Sequence, residues 1–314
     1  DRRLSTETLP ALFNDDNGAG NDAREITRKY ETSGSSEGRY LGFKLGDEGD
    51  DDQDMETSYD FDTYGRLEKI WIGGETGPAD FEYDYLASSD LVQKTNGPDT
   101  FVEYAYEANR DLVTHVYNKT NVGETNRATY HVTRNGLGQQ TDIKGYGTAF
   151  NNNSFQHDYL YNDRREVTQD KIQRGDSSTD TDPTKSTEAT LDYEFDAIGN
   201  RDYIKIDGTK TEYSNNNVNE YTSIASVSHV HDDDGNLTDV GGVLYKWNGE
   251  NRLIKVEDGS EVTEFAYDYL GRRYRKTVTV SSVVQTDTGF IYDGWNLVAE
   301  YDLKPLATSG DPIL

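Results

Sequence analysis

The sequence predicts an all-β protein, in which tandem β-hairpin repeats form one continuous, curved or spiralling antiparallel sheet. Three observations indicate this fold class. A motif of alternating aromatic residues, an Asp or Asn and a short turn returns along most of the 314 residues. The chain contains 23 Tyr and 29 Gly, residue types that favour strands and turns respectively. No amphipathic run with the helical period extends beyond about two turns.

The aromatic motif is clearest in the second half of the chain and weaker in the first half. In each copy, the residue just after the turn is expected to begin a second strand. Successive copies are spaced by roughly twenty residues, which suits one hairpin and its connection. The residues that mark the second strands are Leu67, Leu91, Leu112, Gln140, Val167, Arg201, Tyr221, Leu237, Leu253, Arg273 and Leu297.

One copy, at residues 58–67, shows how the motif specifies a hairpin. Tyr59 and Phe61 are two residues apart and therefore share one face of a strand. Asp62 can accept amide hydrogen bonds in the turn, and Gly65 supplies a positive φ angle. Each unit thus has an aromatic face and a charged face. A single hairpin is marginally stable, so neighbouring units must complete each other's sheet edges.

Composition and charge exclude several functional classes. The formal net charge is −28, which repels a phosphate backbone and makes nucleic acid an unfavourable partner. The chain has no cysteine, so it has no disulfide framework and no thiolate chemistry. No apolar run approaches the roughly 20 residues that span a bilayer. Because the sequence begins without methionine and ends abruptly at Leu314, we interpret it as a processed piece or a fragment of a longer protein.

The sequence divides into three segments. Residues 1–56 are an acidic lead-in, which we expect to be irregular with a few strands. Helical signal is nearly absent from the chain, and residues 22–30 are the best candidate for a short helix. Residues 57–302 are the repeat array, interrupted by a Ser, Thr and Asp rich stretch at 175–189 that predicts a long exposed hairpin loop. Residues 303–314 contain two prolines and predict an unstructured exit segment.

The sharpest metal candidate is the segment from His229 to Asp234. His229 and His231 are two residues apart on a predicted strand and share a face, and Asp232, Asp233 and Asp234 follow at once. The same Asp-Gly-Asn sequence is also the ordinary repeat turn. We therefore assign no metal ligand from the sequence.

Other residues that could carry chemistry are isolated. The acidic run at 47–54 could bind calcium weakly, although a solvated charged loop explains it as well. His115, His131 and His157 occur one per repeat without a Ser or Cys partner nearby in the sequence. The sequence assigns no catalytic residue and no cofactor, and it favours a role that is not enzymatic without deciding the question.

The repeats resemble the YD repeats of the RHS family, which are named for a Tyr-Asp pair. The resemblance extends over residues 57–302 and is strongest from residue 190 onward. It rests on motifs that occur in the order found in terminal repeats of bacterial RHS proteins, at residues 234–237, 247–253, 267–273 and 292–300.

The resemblance implies a sheet that forms part of a hollow shell. Related shells occur in insecticidal toxin complexes, in polymorphic contact-dependent toxins and in animal teneurins. In bacterial members the shell encloses a toxic C-terminal domain that is often released by self-cleavage in a downstream core segment. This chain departs from the pattern because that core segment and a toxin domain are not in it. The ending 311–314 begins with the Asp-Pro of the cleavage motif but lacks its glycine.

Three functions remain open at this point. The first is the structural shell of a secreted or cell-surface RHS-type protein, which encloses or presents an effector domain of the same longer polypeptide in intercellular competition. The second is a surface adhesin that binds glycans through exposed aromatic rings. The third is an extracellular enzyme that acts on a polysaccharide with Tyr and His as acid and base. Aromatic rings that form an exposed groove favour the adhesin, and a His or Tyr buried beside a carboxylate favours the enzyme.

Overall fold

The computed structural model describes residues 6–9, 24–47, 55–150, 153–175 and 186–303. Its strands form one antiparallel sheet of 25 strands, so the predicted all-β hairpin array is confirmed. A single 3₁₀ turn at Thr148–Phe150 is the one helical element within these ranges. None of the described residues forms a helix with the length and hydropathy of a membrane-spanning segment.

The residues group into two compact units, which we call the terminal unit (1–56 and 213–314) and the central unit (57–212). The first thirteen strands are β1 (Thr6–Thr8), β2 (Arg24–Tyr30), β3 (Tyr40–Asp47), β4 (Met55–Phe61), β5 (Leu67–Ile72), β6 (Phe81–Tyr85), β7 (Val92–Asn96), β8 (Thr100–Glu107), β9 (Arg110–Thr120), β10 (Asn126–Arg134), β11 (Gln140–Tyr146), β12 (Ser154–Tyr161) and β13 (Val167–Gly175).

The second half of the array continues the same alternation of strands and turns. Its strands are β14 (Ser186–Phe195), β15 (Arg201–Ile206), β16 (Thr209–Asn215), β17 (Tyr221–Ile224), β18 (Val227–His231), β19 (Leu237–Val240), β20 (Val243–Trp247), β21 (Leu253–Asp258), β22 (Glu261–Tyr267), β23 (Arg273–Val280), β24 (Val283–Asp293) and β25 (Asn296–Asp302).

Eight hairpins share one turn geometry. In each, the side-chain oxygen of an Asp or Asn accepts hydrogen bonds from the backbone amides two and four positions later. The residue three positions after that Asp or Asn has a positive φ angle. A bulge in the strand pairing precedes each turn. The accepting residues are Asp62, Asn135, Asn162, Asp196, Asn216, Asp232, Asn248 and Asp268.

An aromatic side chain at the end of a strand joins successive repeats. The hydroxyl of Tyr161 donates to the carbonyl of Gln140 at 2.6 Å, and that of Tyr267 donates to the carbonyl of Leu253 at 2.8 Å. Four more donors use the same position and reach the second strand of the preceding repeat: Tyr85, Tyr106, Trp247 and Tyr292. The aromatic ring packs on the sheet while its polar end ties one hairpin to the next.

The predicted helix at 22–30 is wrong, since its described part forms strand β2. Alternation of period two decides the outcome: Ile26 is fully buried and Arg28 reaches across to Asp293 from the same face. The predicted loop at 175–189 is too long, because β14 already begins at Ser186. Residues 176–185 lie outside the described residues, as do 304–314 of the predicted exit segment.

The terminal unit has an enclosed apolar core. The hairpin of β2 and β3 packs against the last hairpin, β24 and β25, and buries Ile26, Leu45 and Ile291 almost completely. A group of polar side chains beside this core, which we call the terminal clasp, joins the same elements. Arg28 donates from Nε to Asp293 at 2.6 Å and from Nη2 to Glu7 at 3.0 Å.

The central unit instead presents two sheet faces with different chemistry. The aromatic face carries half-buried side chains that are cross-strand or same-strand neighbours, including Tyr59, Tyr83, Tyr104, Val132, Ile143, Ile172, Leu191 and Ile204. The charged face carries residues of alternating sign, including Asp60, Lys69, Glu82, Lys94, Glu103, Lys144, Asp158, Lys171, Asp192 and Lys205. The predicted two-faced hairpin unit is therefore present.

Candidate functional site on the aromatic face

A groove of about 280 Å³ lies on the aromatic face, where strands β12 to β15 run side by side. Each side of the groove follows from the repeat pattern. One end of the groove consists of residues beside the hairpin turns, where one strand ends and the next begins. The other end of the groove consists of residues near the strand centres. The lining residues are Tyr159, Val167, Asp170, Tyr193, Phe195 and Arg201.

Asp170 is the polar centre of the groove. It pairs across the strands with Tyr159 on one side and Leu191 on the other, so its carboxylate projects among aromatic and aliphatic side chains. His157 lies on the neighbouring strand, and its Nδ1 is 2.9 Å and 3.0 Å from the two carboxylate oxygens. The Asp170 side chain is 13% exposed. A carboxylate at this depth needs such a partner to offset its desolvation.

The aromatic rings around Asp170 are held in fixed positions. The ring of Tyr159 stacks near that of His157, with centroids 6.0 Å apart. Burial raises the pKa of Tyr159, and the charge of Asp170 raises it further. The guanidinium of Arg201 lies 5.1 Å from the ring centroid of Tyr193. The groove thus combines ring surfaces with one negative and one positive group.

This arrangement can accept and donate hydrogen bonds, and it can hold a proton. His157 beside Asp170 has the geometry of an oriented base. Among the described residues, however, Asp170 is the only hydrogen-bond partner of the His157 ring, so no hydroxyl nucleophile is presented to it. His157 is half-buried beside the carboxylate, with its side chain 24% exposed, so the site falls short of the buried histidine that would favour the enzyme.

A second polar cluster occupies the charged face. Asp142 lies directly across from Asp158, and burial raises the pKa of Asp142, with the hydrogen bond to Asp158 adding to the effect and Lys144 opposing it. A second carboxylate beside a desolvated carboxyl group favours the protonated form of that group. Nearby, the rings of His115 and His131 stack with centroids 4.0 Å apart. These histidines therefore lie on the opposite face from His157.

The metal candidate at 229–234 is largely used by the fold. His229 and His231 lie on β18 as predicted, and the Nδ1 of His229 is 3.0 Å from the carbonyl of Val227. Asp232 accepts the turn amides of Asp234 and Asn236. Within the described ranges, no three His, Asp or Glu residues are arranged to hold a metal ion. Of the acidic run at 47–54, residues 48–54 lie outside the described residues.

The groove was not predicted as a site, although one signal for it was present in the sequence. Residues 167–175 alternate, and Asp170 and Ile172 fall on the same side of β13. A carboxylate at a position where neighbouring repeats carry Leu, Ile or Tyr breaks the binary pattern. His157 breaks it in the same way between Phe155 and Tyr159. The groove is formed by strands that follow one another in the sequence, β12 to β15, as the hairpin array predicts.

The fold and the groove define a class of protein built from tandem β-hairpins that join into one sheet. No protein-family model matches the chain. Among solved structures, it is similar to a chain of the Photorhabdus luminescens Tc holotoxin pore, with a TM-score of 0.65 and 14% identity. A TcdB2-TccC3 complex with Cdc42 gives a TM-score of 0.67 and 15% identity. Both alignments cover 90% of this chain and 15% of the other, and they show a common fold.

Among curated proteins, the chain is similar to the tRNA nuclease WapA of Bacillus subtilis, with 33% identity over 119 residues. The tRNA3(Ser)-specific nuclease WapA of Bacillus spizizenii is 32% identical over a stretch of the same length. Each alignment covers 36% of this chain and 5% of the relative. The chain therefore spans a small part of the length of the proteins that it matches.

Proposed function

We propose that this chain is part of the structural shell of a secreted or cell-surface RHS-type protein, which encloses or presents an effector domain of the same longer polypeptide. The hairpins hydrogen-bond to one another in a single layer, and this leaves the aromatic face of the central unit half-buried. That half-buried face is the observation that carries the proposal. Such a face calls for further protein to cover it. The common fold with chains of the Tc toxin structures supports the same role.

The sequence similarity suggests which effector to test first. The similar Bacillus proteins are named tRNA nucleases, and they are far longer than this chain. A net charge of −28 makes RNA an unfavourable general partner of this chain. We therefore place a nuclease activity, if the parent protein has one, in a separate domain of that protein.

The test uses the complete product of the parent gene. We expect it to contain a further domain that resists protease in the native protein and is digested when the whole protein is unfolded. Cleavage of tRNA should appear once that domain is released. The same domain expressed alone serves as the control and should be digested quickly. A parent protein without any further domain, or with one digested equally fast in both settings, would contradict the proposal.

A further inference from the structure

We propose that the groove formed by β12 to β15 binds a single sugar ring of a neutral glycan. The groove is open to solvent, and its volume of about 280 Å³ is at the lower limit for small-molecule sites, which start near 300 Å³. It therefore suits one ring and not a larger ligand. A sugar needs this groove uncovered, whereas the shell role calls for further protein over the aromatic face, so the two proposals make different demands on that face. Binding to the chain alone tests the sugar site, and protease resistance in the complete parent protein tests the shell role.

The lining matches the two surfaces of a pyranose. The C–H faces of a sugar pack well on aromatic planes, and Tyr159, Tyr193 and Phe195 supply such planes. The hydroxyl groups at the rim of a sugar both donate and accept hydrogen bonds. Asp170 offers a carboxylate that only accepts, and Arg201 offers a guanidinium that only donates. Hydrogen bonds to charged groups are the stronger ones.

Charge selects a neutral ligand. The carboxylate of Asp170 lies inside the groove, and the whole chain carries a net charge of −28, so an acidic sugar is repelled at short and at long range. The guanidinium of Arg201 disfavours an amine in the same place. A ligand that carries hydroxyl groups and no charge satisfies both residues.

The polar groups are oriented before a ligand arrives. Asp170 is fixed by His157, whose Nδ1 is about equally distant from both carboxylate oxygens. Arg201 is held against the ring of Tyr193. Preorganised groups lose little conformational freedom on binding, which favours affinity in a small site. Partial burial raises the pKa of Tyr159, so its hydroxyl stays protonated and able to donate at neutral pH.

The experiment measures binding of neutral oligosaccharides to the full chain. The probes are the hexasaccharides of cellulose, laminarin, mannan and galactan, with hexagalacturonate as the acidic comparison. Binding is followed by isothermal titration calorimetry and by saturation-transfer NMR. We expect at least one neutral hexasaccharide to bind, and hexagalacturonate to bind at least ten-fold more weakly.

Variants locate the binding in the groove. Tyr193→Ala and Asp170→Asn should each weaken binding at least ten-fold, whereas Tyr193→Phe, which keeps the ring, should weaken it less. Tyr203→Ala is the matched control, because Tyr203 lies on β15 but faces the opposite side, between Lys205 and Lys210. It should bind as the parent chain does. Thermal unfolding of every variant shows whether its fold is retained.

Several outcomes would overturn the proposal. The first is that no neutral probe binds at 10 mM, which corresponds to a binding free energy weaker than roughly 3 kcal/mol. The second is that hexagalacturonate binds as tightly as the neutral probes. The third is that Tyr203→Ala weakens binding as much as Tyr193→Ala does. Should Tyr193→Ala fail to fold, Tyr193→Phe and Asp170→Asn carry the test. Unchanged affinity in both of those folded variants would place the sugar elsewhere.

Discussion

The terminal and central units keep apolar side chains from water in different ways. Of the ten buried apolar residues in the described ranges, eight belong to the terminal unit and only Phe101 and Tyr146 belong to the central unit. The terminal unit encloses a core because two hairpins from opposite ends of the sequence pack together. The central unit relies on half-buried aromatic rings that also remain accessible. An accessible aromatic surface can bind other molecules, and an enclosed core cannot.

The terminal clasp should show the largest difference between the units. Arg28→Met leaves the carboxylates of Asp293 and Glu7 without their main partner in a place where Arg28 is 8% exposed. Breaking a buried ion pair costs about 3–5 kcal/mol. The control is Arg174→Met in the exposed pair with Glu188, for which about 0–1 kcal/mol is expected. Urea denaturation measures both, and equal losses would contradict the contrast.

A pair of isoleucine substitutions tests the same contrast with apolar residues. Ile26 is fully buried in the terminal core, so Ile26→Ala should cost about 2–5 kcal/mol from lost burial and the cavity left behind. Ile204 is half-buried on the aromatic face, so Ile204→Ala should cost about 1 kcal/mol. Calorimetric unfolding of the two variants gives the comparison. A cost at Ile204 as large as that at Ile26 would mean that the aromatic face is covered.

The two units should also respond to pH with opposite signs. In the central unit the raised pKa of Asp142 favours its protonated form, so its contribution to stability is complete below the ordinary pKa of 3.8 and is lost as pH rises through the raised pKa. In Asp142→Asn this loss should be absent, and the variant should be the more stable chain at neutral pH. Lys144 and His131 oppose the rise in the pKa of Asp142, and Lys171 lies across from Asp158 on the same face.

Asp287 in the terminal unit provides the opposite case. Hydrogen bonds from Arg275 lower the pKa of Asp287, so its contribution is present above the ordinary pKa of 3.8 and is lost as pH falls through the lowered pKa. Asp287→Asn should therefore lose stability at neutral pH. Unfolding free energies of both variants between pH 3 and pH 8 test the signs, and parallel pH profiles would contradict them.

The smallest expected effect concerns a turn of the central unit. Arg165 has a φ angle of 68° where most equivalent turns carry Gly, so Arg165→Gly should stabilise the chain by about 0.5–1 kcal/mol. Gly199 holds the equivalent position with a φ angle of 97°, and Gly199→Ala should destabilise it by about 1 kcal/mol. Melting temperatures measured side by side decide the matter. A destabilised Arg165→Gly would show that the Arg165 side chain contributes more than its backbone strain costs.

The repeat pattern was sufficient to predict the strands but not the packing between distant segments. Eight of the eleven marker residues begin a strand, and the strands near Leu91, Leu112 and Leu297 begin within two residues of the marker. These features depend on local alternation and turn chemistry. The terminal clasp joins Arg28 to Asp293, which are 265 residues apart in the sequence. A pattern that spans one repeat cannot predict a contact between residues so far apart.

The candidate groove could be predicted from the sequence in part. Its aromatic rings belong to the repeat motif and were predicted to share a face. Asp170 and His157 occupy motif positions with residue types that the motif does not predict, and their pairing depends on the register between β12 and β13. The turn that joins two strands sets their register. The turn at 162–166 therefore predicts that His157 and Asp170 lie close together on one face.

The aromatic donor found near the strand end in six hairpins has a consequence for how such chains change in length. Each of the six hairpins that carry it brings one donor for the preceding unit, as Tyr161 does for the carbonyl of Gln140. Adding or removing a whole unit therefore leaves the remaining donors and acceptors matched, whereas an insertion of half a unit orphans one of each. Gene duplication can lengthen or shorten the array in whole hairpins without redesigning any junction.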